Sequence, residues 1–165
     1  MTLAAVNSAL QRARATLHDN AAAHERFVER SRGDEDTAKR VLDRYIRAWE
    51  AADADALVQL LTDDAAFSMP PAVIWYRGHA AIRGFLTTVP FEGNSEGRWQ
   101  CRLTRANLQP ALAIYQLDPE TSIYQAAALQ TLALQGGRVT DVITFLNETN
   151  FVHFGLPPEL DPDHN

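Results

Sequence analysis

Two polar side chains set in apolar surroundings are where this sequence could do chemistry: Tyr45 and Gln130. Tyr45 belongs to a stripe of Val41, Leu42, Tyr45, Ile46 and Trp49 at i, i+3, i+4 spacing, with Arg44, Arg47 and Glu50 outside it. The spacing predicts an amphipathic helix that turns the phenol toward a core. Gln130 interrupts a run of alanines and leucines, and a buried amide without a partner costs on the order of 1–3 kcal/mol. A phenol and a carboxamide in an apolar wall can hold a carbonyl or hydroxyl oxygen by two directed hydrogen bonds. Equally, Tyr45 can be a core residue with its hydroxyl satisfied, and Gln130 can bond to a neighbour.

The remaining candidates are weaker in kind. Arg105 and Asn107 fall on one face of a predicted strand and could reach the mouth of a pocket. Trp75 beside a turn is a pocket lip or simple packing, and Tyr76 reads as packing. Asp63 and Asp64 look like paired carboxylates, but neighbours in a strand point oppositely, so they read as a turn and cap device. Five histidines, at positions 18, 24, 79, 153 and 164, show no metal-ligand spacing with carboxylates, and no metal is expected.

Positioning these groups needs three helices and a sheet. After the stripe helix, Asp53 can cap a short helix that turns Leu57, Leu60 and Leu61 inward. Asp63-Asp64 open a strand over 65–69 that Pro70-Pro71 stops. Gly78 starts another helix with Ile82, Phe85 and Leu86 on its buried side. Strands follow at about 98–107, 110–117, 122–135 and 138–147. Gly136-Gly137 is a two-residue hairpin turn needing positive φ, so Gln135 pairs with Arg138. Run back from that turn, the register puts Ala128, Gln130, Leu132 and Leu134 on one face beside Val139, Asp141, Ile143 and Phe145. That bulkier face is expected to line the interior, making Ile143 and Phe145 pocket walls and Asp141 an inner carboxylate. The other face, with Leu129, Thr131, Ala133, Thr140, Val142 and Thr144, suits solvent or a contact between subunits. The near-continuous apolar strands at 111–117 and 126–134 imply burial on both faces. Helices can cover only one, so a homodimer across the sheet is expected.

The totals bound the class. The chain has 165 residues, 46% hydrophobic and 22% charged, as a folded domain of α+β type requires. Its net charge of −6, with Lys39 the only lysine, gives no general attraction to nucleic acid or anionic membrane. One cysteine, Cys101, excludes an intramolecular disulfide and a thiolate zinc cluster. No apolar stretch approaches the roughly 20 residues that span a bilayer, and residues 1–30 lack a signal-peptide core. The expected location is the cytoplasm.

Residues 44–70, RYIRAWEAADADALVQLLTDDAAFSMP, and GHAAIRGFL at 78–86 resemble the opening of a ketosteroid-isomerase-like or SnoaL-like domain. The run GGRVTDVITFLN at 136–147 resembles its closing hairpin. Further stretches are SMPP, WYRG, TRANLQPALAIY at 104–115, ALQTLALQGGRV and FGLPPEL at 154–160. Together they are similar to the SnoaL-like domain at the C-terminus of certain extracytoplasmic-function (ECF) sigma factors. Residues 4–17, AAVNSALQRARATL, resemble the last helix of sigma region 4. The resemblance implies a cone-shaped nuclear-transport-factor-2-like fold, three helices on a curved, mostly antiparallel sheet. The expected divisions are a helical extension over 1–36, the SnoaL-like domain over 37–155 and a tail over 156–165, whose Pro- and Asp-rich composition reads as loose.

The resemblance also implies roles. In ketosteroid isomerase a tyrosine and a protonated aspartate stabilise a developing oxyanion, and a second aspartate is the general base. Carried over, the tyrosine falls on Tyr45, the protonated aspartate on Gln130 and the base on Met69. A thioether takes no proton, so isomerisation by that mechanism is not expected, and Asp141 is the nearest carboxylate that could substitute. Two functions follow. One is a binding or regulatory module for a lipophilic small molecule, with sigma-factor or RNA polymerase components as partners. The other is a cofactor-independent cyclase, isomerase or hydrolase acting on a polyketide-like carbonyl compound. Independent DNA binding is not expected, because one helix of a helix-turn-helix lacks the scaffold that orients it.

Overall fold

The computed structural model describes residues 35–161 except positions 94, 96, 108, 147 and 148. Positions 1–34 of the expected N-terminal helical extension, with its region 4-like segment, and positions 162–165 lie outside the described residues.

Helix α1 (Glu35–Glu50) buries Val41, Leu42, Tyr45, Ala48 and Trp49 on one face. It ends where Ala52 takes a left-handed conformation (φ 52°). Asp53 then caps α2 (Ala54–Val58), accepting from the Ala56 backbone N–H at 2.8 Å. Strand β1 (Leu61–Ser68) pairs with the short β2 (Trp75–Arg77). Helix α3 (His79–Thr88) turns Ile82, Phe85 and Leu86 inward, as the spacing predicts. Four long strands follow: β3 (Trp99–Ala106), β4 (Gln109–Leu117), β5 (Tyr124–Gln135) and β6 (Arg138–Phe145). The chain continues through α4 (Thr149–His153) and β7 (Glu159–Leu160).

The sheet runs β2-β1-β6-β5-β4-β3, with β7 added on β5. All neighbours are antiparallel except β1 and β6. One face packs on α1, α2 and α3 through a continuous core that includes Tyr45, Trp49, Leu57, Phe67, Phe85, Leu112, Ile114 and Leu132. The α+β fold expected from the sequence, helices on a curved and mostly antiparallel sheet, is the one present.

The closing hairpin is pinned where the sequence places it, with Gln135 opposite Arg138. One pair later the ladder slips. Leu134 faces Val139, but Ala133 faces Asp141, so Thr140 is an extra residue in β6. A one-residue bulge sends every later side chain of the bulged strand to the opposite face. Val142 and Thr144 therefore lie inward, opposite Leu132 and Gln130, and both are buried. Asp141 and Ile143 are exposed and Phe145 is half-buried, on the other face. The expectation that these three line the interior is corrected by that bulge, for which no residue in the turn gives a signal.

The outer face of β4 and β5 is covered by the chain itself. Ala113, Tyr115 and Leu129 pack against Phe151 and Leu160, with Leu156 alongside. Tyr115 donates its hydroxyl proton to the Pro157 carbonyl at 3.0 Å, and the Ala126 N–H bonds to the Pro158 carbonyl at 2.8 Å. The segment expected to be loose is thus tied down through Leu160. Two-sided burial of these strands is met within the chain there, without a second subunit.

Candidate functional site

Tyr45 and Gln130 are brought together, but as each other's partners. Helix α1 presents the phenol to the inner sheet face, where its O–H donates to Gln130 Oε1 at 3.0 Å. Gln130 Nε2 in turn donates to Thr144 Oγ1 at 3.1 Å. Tyr45 is 2% exposed and Gln130 fully buried. Of the two possibilities open for Gln130, the neighbour bond is the one the fold contains. Without the Thr140 bulge Ile143 would stand opposite Gln130, leaving its amide without that hydroxyl. Thr144 is the member sequence reasoning missed. Its signal was a threonine near an apolar strand's end, legible only once the bulge is known.

Around this chain of hydrogen bonds lies an aromatic wall. Trp49, one helical turn after Tyr45, stacks against it with ring centroids 6.2 Å apart. Trp49 also meets Phe91 edge-on at 5.2 Å and Trp99 edge-on at 6.3 Å. Phe67, Phe85 and Tyr76 continue the aromatic packing, with Tyr76 stacked on Phe85 at 4.6 Å. The Cys101 backbone N–H, on β3, bonds to Glu50 Oε1 at 2.9 Å.

The electrostatics of this interior disfavour negative charge. Burial, and to a smaller degree Cys101, push the Tyr45 phenol far above its ordinary range. The Cys101 thiol is raised well above its usual value, first by burial and then by the Glu50 carboxylate. Both groups therefore stay neutral and cannot serve as bases near neutral pH.

Met69, on which the resemblance puts the general base, is buried in the main core just after β1, packed on its apolar neighbours. Trp75 is exposed (64%), and Tyr76 packs rather than contacts solvent fully. Arg105 is exposed near the end of β3, opposite Pro110. Asn107 is not on the strand with it: it sits in the β3–β4 turn with φ 50°, exposed. The shared strand face expected for Arg105 and Asn107 is thereby corrected, because β3 ends at Ala106 and a tight turn needs a residue tolerant of positive φ. Ile143, Phe145 and Asp141 are on the outer face, away from Gln130. Among the described residues no three His, Cys, Asp or Glu side chains are grouped to hold a metal ion. None of the described helices is long and apolar enough to cross a membrane.

Helices packed on one face of a curved, mostly antiparallel sheet make this a nuclear-transport-factor-2-like fold. The chain belongs to the SnoaL-like domain family, which matches residues 42–145. It is 38% identical over 159 residues to the ECF RNA polymerase sigma factor SigG of Mycobacterium tuberculosis, covering 94% of this chain. That match spans 41% of the sigma factor's own length. Among solved structures, an NTF-2-like protein of unknown function from Burkholderia xenovorans superposes with a TM-score of 0.56 at 14% identity, over 68% of this chain and 84% of that one. SalBIII, an epoxide hydrolase/cyclase-like enzyme of pyran ring formation in the polyether salinomycin, superposes with a TM-score of 0.51. Its identity is 22%, over 70% of this chain and 95% of that one. At these identities the likeness to both structures is one of fold.

Proposed function

We propose that this SnoaL-like domain binds a lipophilic small molecule in its apolar interior and acts as a regulatory module of the sigma-factor type. Its partners are then sigma-factor or RNA polymerase components, in the cytoplasm. The observation that carries this reading is the exchange of hydrogen bonds within the site. Tyr45 bonds to Gln130 and Gln130 to Thr144, and Met69, on which the resemblance puts the base, is packed in the core. A pair bonded internally, with an apolar side chain where the resemblance puts the base, is not poised to move a ligand's protons, which leaves the apolar interior to hold one. The similarity to a sigma factor over nearly the whole chain supports the regulatory half.

The enzymatic reading, a cofactor-independent cyclase, isomerase or hydrolase, needs a base. Asp141, the carboxylate closest in sequence to that role, is exposed on the outer face. The homodimer rests on narrower ground than the strand pattern suggests: the uncovered outer face around Ile143 (37% exposed). Sedimentation as a monomer at micromolar concentration ends that proposal.

The deciding experiment is native mass spectrometry after incubation with a lipophilic extract of the host. A compound retained unchanged supports a binding module. A compound released in altered form, by wild type and not by Tyr45→Phe, replaces that reading with the enzymatic one. If no compound is retained and none is altered, both readings fall.

A further inference from the structure

The ligand's polar end can be located by asking which buried donors are unspent. Tyr45 gives its hydroxyl proton to Gln130, and Gln130 gives an amide proton to Thr144. Two indole N–H groups have not: Trp49 Nε1 and Trp99 Nε1 are both shielded from solvent and have no hydrogen-bond partner. Trp49 as a residue is 96% buried, being 4% exposed. The two rings meet edge-on at 6.3 Å, Trp49 on α1 and Trp99 at the start of β3. An indole N–H is a donor only, so nothing but an acceptor can satisfy it. Leaving each unpaired costs roughly what a lost buried hydrogen bond costs. Thr62 Oγ1 and Gln100 Oε1 are the other unpaired buried atoms among the described residues. Gln100 follows Trp99 along β3 and so faces the opposite side.

We propose that Trp49 and Trp99 form the polar end of the ligand site, their indole N–H groups donating to a neutral oxygen acceptor of an otherwise apolar molecule. The acceptor class is a ketone, aldehyde or ester oxygen. Neutrality follows from the surroundings. The Glu50 carboxylate bonds at Cys101, beside this wall, and an anion buried near it without a cation meets repulsion as well as desolvation. The same surroundings push the neighbouring thiol and phenol toward their neutral forms. This proposal rests on the ligand-binding reading and specifies which atoms the ligand touches.

The test uses the full chain with tryptophan labelled by 15N, and three probes of similar size: acetophenone, ethylbenzene and benzoate. Three tryptophans give three indole N–H signals, and Trp75, exposed, is the internal control. Acetophenone should move the Trp49 and Trp99 signals downfield and leave Trp75 in place. Ethylbenzene should bind without the downfield shift, and benzoate should bind at least about tenfold more weakly than acetophenone. Trp49→Phe and Trp99→Phe should each weaken acetophenone about 3- to 10-fold, with little change for ethylbenzene. If acetophenone binds and neither indole signal moves, or both hydrocarbon and ketone move them alike, the site is overturned while the ligand-binding reading stands. If neither acetophenone nor ethylbenzene binds up to its solubility limit, both fall together. The wild-type spectra decide the matter even where a tryptophan variant does not fold.

Discussion

The phenol of Tyr45 donates to the carboxamide oxygen of Gln130, 85 residues further along the chain, across 3.0 Å of the buried interior. That bond ties α1 to β5, and Gln130 extends it to Thr144 on β6. Three elements are thereby fixed in register by one run of polar atoms, which is costly to leave half made.

Removing one end of that run should expose its cost. Tyr45→Phe leaves the Gln130 oxygen buried without its donor and should destabilise the fold by about 1–3 kcal/mol. Gln130→Leu strands both Tyr45 and Thr144 and should cost at least as much. Because the residues share a bond, the double variant should lose less than the sum of the two, by about 0.5–3 kcal/mol. Urea unfolding of the four proteins measures the coupling, and strict additivity would contradict the bond.

Alkaline pH should weaken the fold through the same interior. The folded-state values of Tyr45 and Cys101 are raised above their ordinary values of 10.0 and 9.0. The unfolded chain therefore loses these protons first. The stability they contribute is complete below the ordinary values and declines as pH rises past them toward the folded-state values. Stability should thus fall from about pH 9 upward, first through the thiol and then through the phenol. Cys101→Ala should delay the onset and Tyr45→Phe should flatten the limb above pH 10, as read from urea midpoints between pH 8 and 11.

The C-terminal segment should behave as part of the domain. Phe151 is fully buried against Tyr115 (edge-on, 5.1 Å) and seals the outer face of β4 and β5. Phe151→Ala should cost about 3–5 kcal/mol. In hydrogen exchange the Ala126 amide, bonded to Pro158, should lose protection together with that change. An unaltered Ala126 amide would mean that the segment is not holding the sheet.

The two glycines of the closing turn should not be equivalent. Both have positive φ, 59° at Gly136 and 76° at Gly137. A Cβ at Gly136 meets nothing within 4 Å, whereas one at Gly137 stands 2.9 Å from Thr37 Cγ2 on α1. Gly136→Ala should cost the backbone penalty alone, about 1–2 kcal/mol. Gly137→Ala should cost more, and trimming the obstacle in Gly137→Ala/Thr37→Ser should recover the difference in thermal unfolding.

By itself the sequence determined the elements and one end of each pairing. The stripe from Val41 to Trp49, the Asp53 cap and the Gly136-Gly137 turn are local devices, set by sterics and capping within a few residues. They lead to α1, α2 and the Gln135–Arg138 pair whatever else is present. Tyr45 and Gln130 were legible as buried polar groups for the same reason, because each stands out within its own element. What each bonds to is a different matter. The partner of Gln130 depends on the bulge at Thr140, which no turn or propensity signal marks and which is set where β6 must also pair in parallel with β1. The covering of Tyr115 and Leu129 likewise depends on a later segment, Phe151 to Leu160, folding back across them. Local chemistry writes the helix and the turn; only the packing of distant segments decides which face a side chain reaches and what it finds there.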